Sequence, residues 1–217
     1  MIFDWNVVTY AAPLLAHGVV MTLQVSAVAA VLALMIGIAA GLASLSSSRV
    51  LRGVIRVYVE FVRGTPLLIQ IFLVFFALPV LGVRFSEFWA GVVALAFNAG
   101  AYIAEVVRGT VGAVEKGQSE AAMSIGMTRQ GALIWVLLPQ AWRPMIPALT
   151  NDLITLTKNS SLLSVISVYE LTRAGQAIIA THFAPFEIYL LLALYYWALI
   201  SALAWASRRI ERALPQW

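Results

Sequence analysis

The sequence predicts an all-helical integral membrane protein, and three observations support this fold class. Of its 217 residues, 62% are hydrophobic and only 11% are charged, whereas soluble domains carry about 25% charged residues. The mean hydropathy is +0.91. Several apolar segments approach or exceed the length of about 20 residues that a helix needs to cross the hydrocarbon core. We therefore treat residues 1–217 as a single transmembrane domain.

Five apolar segments are predicted to cross the membrane. They run from about Gly18 to Leu45, from about Pro66 to Leu81, from about Phe88 to Val107, between Ile146 and Val168, and from about Ile188 to Ala206. The fourth segment is more polar than the others. The first begins too late and runs too long for a signal peptide, so we expect it to remain in the mature protein.

The basic residues orient these segments. Most of them follow the first, third and fifth segments: Arg49, Arg52, Arg56, Arg63, Arg108, Lys116, Arg129, Arg143, Arg208, Arg209 and Arg212. Loops rich in Lys and Arg stay in the cytoplasm under the positive-inside rule. The sequence therefore predicts an outside N-terminus, a cytoplasmic C-terminus and a cytoplasmic loop at about residues 109–143.

Small residues recur in the first predicted segment. Gly37 and Gly41 form a G-x-x-x-G pattern, which allows two helix backbones to approach each other closely. The pattern does not say whether the partner helix belongs to the same subunit or to another one.

A polar segment, EKGQSEAAMSIGMTRQ, occupies residues 115–130 of the cytoplasmic loop. Ser119 can cap a short helix, because its hydroxyl accepts a backbone hydrogen bond. Glu115 and Glu120 suit the electropositive start of such a helix. The segment therefore predicts a short helix outside the membrane.

The rest of this segment predicts a turn and a second helix. Ala121 and Ala122 offer a small apolar surface, and Gly126 permits a turn. A second helical run, roughly residues 129–138, is expected to end near Pro139. Such a pair of helices can dock on a soluble partner or lie on lipid headgroups, and the chemistry alone favours neither.

The sequence does not predict a metal or nucleotide site. It has no cysteine, and its two histidines, His17 and His182, lie far apart at predicted segment ends, unlike clustered metal ligands. Gly112 and Gly117 have the glycine spacing of a phosphate-binding loop, but Gln118 stands where such a loop has its lysine. We therefore expect no cofactor in this chain.

The spacing in the cytoplasmic loop resembles a known motif. It follows the pattern E-A-A-x3-G-x9-I-x-L-P, the EAA motif of the permease subunits of bacterial ABC importers. The matching residues are Glu120, Ala121, Ala122, Gly126, Val136, Leu138 and Pro139. Val136 replaces the usual isoleucine and keeps an apolar β-branched side chain.

Further segments resemble the polar amino-acid branch of this family. They are EFVRGTPLLIQ at residues 60–70, NAGAYIAEVVRG at 98–109, LPQA at 138–141 and KNSSL at 158–162. At Asn159 and Ser160 the sequence departs from the more frequent family form, in which an acidic or polar residue precedes threonine. The resemblance extends through nearly the whole chain.

The resemblance implies a type I ABC importer permease fold without catalytic residues, in the bacterial inner membrane. It implies two separate ATP-binding subunits, which bind ATP and Mg, and an external solute-binding protein. It also implies a second permease subunit, either another copy of this chain or a paralogue. The implied solute is a polar amino acid or a related compound such as an opine. The residues implied to couple to the ATPase are Glu120, Ala121, Ala122, Gly126, Leu138 and Pro139.

Polar residues in the third segment are candidates for the substrate pathway. Asn98, Tyr102 and Glu105 share one helical face, and such groups are costly in lipid. Alternatively, Asn98 and Tyr102 form interhelical hydrogen bonds, while Glu105 pairs with Arg108.

The fourth segment is also a candidate. Its polar residues cannot all face lipid, and Thr155 and Asn159 lie on one stripe with Asn151. The candidate pathway residues here are Thr155, Lys158, Asn159, Ser160 and Ser161. Lys158 could instead extend towards the membrane surface or pair with Asp152.

Two other classes of protein fit the sequence less well. An ion-coupled secondary transporter would be expected to contain inverted repeats and broken helices, and no convincing repeat is evident. A membrane-embedded enzyme would need a nucleophile, an acid–base pair or a metal cluster, and none is compelling. Neither class would account for the EAA pattern.

Overall fold

The computed structural model describes the backbone of residues 3–213, which contains helices and no strands. The α-helices are α1 (Trp5–Ser44), α2 (Arg49–Gly64), α3 (Leu67–Phe72), α4 (Glu87–Gly112), α5 (Lys116–Ser124), α6 (Arg129–Ala132), α7 (Leu138–Asn159), α8 (Leu171–His182) and α9 (Pro185–Ala213). The predicted all-helical fold class is confirmed. The C-terminal end at residues 214–217 lies outside the described residues.

Helix α1 is much longer than the predicted first segment. It begins at Trp5 rather than near Gly18, because the side chain of Asp4 caps it by accepting hydrogen bonds from the backbone N–H groups of Asn6 and Val7. Its 40 residues extend about 60 Å, roughly twice the thickness of the hydrocarbon core. The additional turns pack against α8 and α9, where Leu15, Leu171 and Ile188 belong to one hydrophobic core.

The G-x-x-x-G pattern of α1 lies against α4 of the same chain. A Cβ atom added at Gly37 would lie 2.8 Å from the carbonyl oxygen of Gly100, and one added at Gly41 would lie 3.0 Å from that of Ala104. Such distances leave no room for a side chain. Of the two alternatives that the sequence left open, the structure supports packing within the subunit.

The predicted second span, about Pro66 to Leu81, corresponds to the second member of a bent pair of helical segments. Thr65 is extended, as is usual before a proline, and the axes of residues 49–64 and 67–81 differ by 109° at this point. After α3 the chain continues as a π-helix (Leu73–Ala77) and a 3-10 helix (Leu78–Leu81). The run from 67 to 81 is about 22 Å long, too short to cross the hydrocarbon core as a straight helix.

Fewer helices than the predicted five qualify as candidate spans by length and composition. Within residues 3–213, three helices (α1, α4 and α9) are long and apolar enough to cross a membrane, or four if the bent pair is counted. The predicted fourth span corresponds to the second half of α7 and to a 3-10 helix, Ser160–Ile166. Helix α7 has 22 residues, but it is too polar to qualify by composition and contains Pro144 and Pro147.

The cytoplasmic loop contains the two predicted short helices, with different boundaries. Helix α5 begins at Lys116, so Ser119 lies inside the helix and does not cap it. The N-cap residue is Glu115, and its side chain makes no capping hydrogen bond. The second run does not end at Pro139. It passes from α6 through a π-helix (Leu133–Leu137) into α7, because a proline in the first turn of a helix needs no N–H partner.

Candidate functional site

A cavity of about 350 Å³ lies between α3, α4 and α7. We call it the polar cavity. Its lining consists of Thr65, Pro66, Leu67, Leu95, Asn98, Ala99, Tyr102, Asp152, Thr155, Leu156 and Asn159. Four residues selected from the sequence, Asn98, Tyr102, Thr155 and Asn159, therefore meet at one cavity although they come from two helices.

Asn98 connects α4 to the bend between α2 and α3. It is 7% exposed, and its Nδ2 atom donates a hydrogen bond to Oε1 of Gln70 at 3.0 Å. Nε2 of Gln70 in turn donates to the carbonyl oxygen of Val62 at 2.8 Å and to Oγ1 of Thr65 at 2.9 Å. Sequence reasoning did not select Gln70, although it ends the EFVRGTPLLIQ segment. Asn98 thus lines the cavity and also makes the interhelical bond that the sequence left open as an alternative.

A second cavity, of about 870 Å³, lies between the C-terminal end of α1, α2 and α4. We call it the arginine cavity, because Arg49, Arg52, Arg56, Arg63 and Arg108 line it together with Glu60 and Glu105. Among the described residues, Tyr102 alone lines both cavities. The Cζ atom of Arg63 lies 5.5 Å from the centre of the Tyr102 ring, within the range of a cation–π interaction.

Glu105 lies in the arginine cavity and not in the polar cavity. Its carboxylate accepts hydrogen bonds from Nε and Nη2 of Arg108, and Nη1 of Arg63 lies 3.9 Å from it. The predicted alternative of a pair with Arg108 is therefore present. The same carboxylate also helps to position Arg63 beside Tyr102.

The remaining candidates of the fourth segment face other parts of the protein. Lys158 and Ser161 line a shallow pocket of about 290 Å³ with Tyr196, Trp197 and Ile200 of α9. Ser160 is fully buried, and its hydroxyl donates a hydrogen bond to the carbonyl oxygen of Thr157 at 2.8 Å. The helical rotation between successive residues turns these side chains away from the stripe of Thr155 and Asn159.

Asp152 lines the polar cavity, whereas the sequence suggested it only as a partner of Lys158. No ion pair joins the two side chains, both of which the structure describes. Instead, Oδ2 of Asp152 is buried and has no hydrogen-bond partner among residues 3–213. The sequence signal for this residue was an acidic group in a segment expected to cross the membrane.

Four of the six coupling candidates, Glu120, Ala121, Ala122 and Gly126, lie in α5 and the turn that follows it. Gly126 has a φ of +87°, and the N–H of Met127 donates to the carbonyl oxygen of Ala122 at 3.1 Å. Ala122 is 5% exposed and packs inside the loop, whereas Glu120 and Ala121 are exposed. The prediction that Ala121 and Ala122 share one exposed surface is therefore wrong for Ala122. Consecutive residues of a helix point in different directions.

The structure adds Ile125 to this exposed turn. It is an apolar residue that is 78% exposed beside Gly126. Leu138 and Pro139, the last positions of the EAA pattern, lie at the start of α7, where Leu138 is half-buried and Pro139 is exposed. They are thus separated from the α5 turn by α6 and the π-helix.

Comparison with protein families gives a match over most of the chain. Residues 33–215 match the family described as "Binding-protein-dependent transport system inner membrane component". The chain is 40% identical over 216 residues to the glutamine transport system permease protein GlnP of Escherichia coli K12, covering 99% of each chain. It is 34% identical over 215 residues to the arginine transport system permease protein ArtQ of Bacillus subtilis, covering 99% of this chain and 98% of ArtQ.

Solved structures give the same result for the fold. An amino acid ABC transporter crystallised with histidines contains a chain with a TM-score of 0.91 and 36% identity, with coverage of 99% of this chain and 100% of that one. The MetNI methionine ABC transporter, in an inward-facing conformation, contains a chain with a TM-score of 0.77 and 23% identity. Coverage is 94% of this chain and 97% of the MetNI chain, and this second likeness concerns the fold alone.

Proposed function

The chain belongs to the family of binding-protein-dependent transport system inner membrane components, and from this premise we propose that it carries a polar amino acid, or a related compound such as an opine, into the cytoplasm. It does so as the non-catalytic transmembrane subunit of an ATP-driven importer. Relatives with names that specify glutamine, arginine and L-cystine transport support the solute class. These relatives lend no support to ion-coupled secondary transport.

The polar cavity is the proposed substrate pathway within this subunit. The observation that carries this proposal is the convergence of Asn98, Tyr102, Thr155 and Asn159 on one cavity. Its volume of about 350 Å³ is within the usual range for small-molecule sites. Amide and hydroxyl groups can both donate to a carboxylate and accept from an ammonium group, so this lining suits an amino acid.

The pathway continues from the polar cavity past Tyr102 into the arginine cavity. Glu105 remains part of the proposed pathway for this reason. Lys158 and Ser161 are left out of the pathway because they face α9. Ser160 is left out because its side chain is buried.

The turn at the end of α5 is the proposed contact with the ATPase subunit. Glu120, Ala121, Ile125 and Gly126 are exposed there, as a docking surface requires. In this proposal Leu138 and Pro139 do not contact the ATPase subunit but form the start of α7, which follows the loop. Ala122 stabilises the turn because its side chain is buried within the loop. ATP and Mg are bound by the partner subunits, and closure of those subunits moves α5 and reorients the spanning helices.

The family supports the remaining partners of the proposal, and the charge distribution supports its orientation. The complete importer contains two permease subunits, two ATP-binding subunits and an external solute-binding protein. The second permease subunit is another copy of this chain or a paralogue. The positive-inside rule supports an outside N-terminus and a cytoplasmic C-terminus.

Reconstitution of the importer into sealed vesicles tests this function. We expect uptake of one or more polar amino acids to require the binding protein and ATP on the side of the ATPase subunits. Vesicles with a proton or sodium gradient but no ATP serve as the matched control. Uptake driven by the gradient alone would refute the proposal in favour of secondary transport.

A further inference from the structure

The polar cavity has an acidic side chain, Asp152, with one oxygen that lacks a hydrogen-bond partner among the described residues. This oxygen, Oδ2, is buried and finds no hydrogen-bond partner within the part of the chain that the structure describes, and the residue lines the cavity. A buried carboxylate oxygen without a partner is costly, and a bound cationic group can supply the missing hydrogen bond. We propose that Asp152 binds the positively charged group of the transported solute and makes this cavity select cationic over anionic side chains.

The charges around the cavity support this selection. Asp152 is the one acidic residue of the described lining, which contains no Lys, Arg or His. Two basic residues of the same region line other cavities: Arg63 lines the arginine cavity beside Glu105, and Lys158 faces α9. No ion pair joins Arg63 to Asp152. The cationic group of a bound solute can therefore supply a partner for Oδ2 of Asp152.

The other lining groups determine how an amino acid would fit. Its ammonium group pairs with Asp152, while the neutral donors of Asn98, Tyr102, Thr155 and Asn159 are available for its carboxylate. A basic side chain gains from the charge of Asp152 in a site of low dielectric constant. A substrate with an acidic side chain adds a second negative charge near Asp152, and the described lining has no basic side chain to pair with it. This inference rests on the proposed role of the polar cavity in transport.

Direct binding to the permease tests the inference without the selectivity of the external binding protein. The permease and its ATPase subunits are purified together in lipid nanodiscs, and binding of radiolabelled L-arginine, L-glutamine and L-glutamate is measured by equilibrium dialysis. We expect L-arginine to bind more tightly than L-glutamate. Asp152→Asn keeps the shape of the side chain and removes its charge, so it should lower the affinity for L-arginine relative to L-glutamate by about tenfold or more.

A matched variant separates this effect from a general loss of negative charge. Glu87→Gln removes an exposed acid at the start of α4, outside both cavities, and should keep the wild-type order of affinities. If Asp152→Asn also keeps the wild-type ratio of L-arginine to L-glutamate affinity, the inference is overturned. Asn159→Asp provides a second test, since a further carboxylate in the lining should widen the preference. An unchanged or narrower preference in that variant would equally overturn the inference.

Two variants distinguish failure of this inference from failure of the proposed pathway. Tyr102→Ala and Asn159→Ala should weaken binding of all three amino acids if the polar cavity is the site. If both bind as the wild type does, the cavity is not the pathway. If both weaken binding while Asp152→Asn leaves the charge preference unchanged, only the role of Asp152 is wrong.

Discussion

The guanidinium of Arg63 lies over the ring of Tyr102, 5.5 Å from its centre, at the boundary between the polar cavity and the arginine cavity. Oε2 of Glu105 lies 3.9 Å from Nη1 of Arg63, and the Glu105 carboxylate also accepts hydrogen bonds from Arg108. Arg108, Glu105 and Arg63 thus form a series of charged contacts that ends at Tyr102, the one described side chain that lines both cavities. Tyr102 therefore lies where a solute would pass if it moved from one cavity to the other.

We expect Arg63→Gln to reduce ATP-driven uptake, because the neutral side chain loses both the cation–π contact with Tyr102 and the attraction of Glu105. Assembly with the ATPase subunits should persist, since Arg63 is on the cavity surface rather than in the core. Uptake and co-purification are measured in the same preparations. Arg84→Gln, which neutralises an exposed arginine outside both cavities, is the control. Wild-type uptake by Arg63→Gln would show that the contact has no role in transport.

The Gln70–Asn98 bond should contribute to stability as well as to the shape of the polar cavity. Gln70→Ala removes the acceptor of Asn98 and the bonds to Val62 and Thr65. We expect a loss of about 1 kcal/mol, the usual scale of interhelical hydrogen bonds in membranes, seen as a lower melting temperature of the purified complex. Thr155→Ala alters the same cavity without breaking this network, so equal melting temperatures for the two variants would contradict the prediction.

Close packing of α1 on α4 should make Gly37 intolerant of even a methyl group. Gly37→Ala places a Cβ atom 2.8 Å from the carbonyl oxygen of Gly100, and overpacking of this kind costs about 1–3 kcal/mol. We expect a lower yield of folded protein and a lower melting temperature. Gly109→Ala is the matched control, because a Cβ atom there has no neighbour within 4 Å. Similar stability of the two variants would mean that the helices can separate at little cost.

Coupling should depend on the exposed turn after α5. Gly126→Asp places a side chain at a φ of +87°, which strains the backbone, and Ala121→Trp adds bulk to an exposed position. We expect both variants to insert in the membrane but to lose the ATPase subunit and ATP-driven uptake. Both quantities are measured in one preparation.

Two further variants sharpen this experiment. Gly117→Ala alters the first turn of α5 where a Cβ atom has open space, so it should keep the ATPase subunit. Ala122→Trp should unfold the loop itself, because Ala122 is buried. If Gly126→Asp and Ala121→Trp both retain the ATPase subunit and uptake at wild-type levels, α5 is not the coupling element.

Topology can be tested with single cysteines, since the chain has none. Cysteines at Ser119 and Gln216 are expected to be protected from a membrane-impermeant thiol reagent in intact cells, because the positive-inside rule places both in the cytoplasm. Gln216 lies outside the described residues. Permeabilised cells provide the control, in which both positions should react. Labelling of both in intact cells would reverse the orientation.

The sequence by itself determined the composition-dependent and local features of this protein. Its hydropathy indicated a helical membrane protein, and the spacing from Glu120 to Pro139 indicated the family. Helical periodicity placed Asn98 with Tyr102, and Thr155 with Asn159, because residues four apart share a face regardless of what surrounds the helix.

Tertiary structure decided which of these faces meet. Packing of α4 against α7 brings Asn98 and Thr155 to one cavity, whereas Lys158 turns towards α9. It also decided that Gly37 contacts α4 and that Ala122 is buried. These outcomes depend on contacts between residues distant in the chain, and the periodicity of one helix carries no information about the helix that covers it.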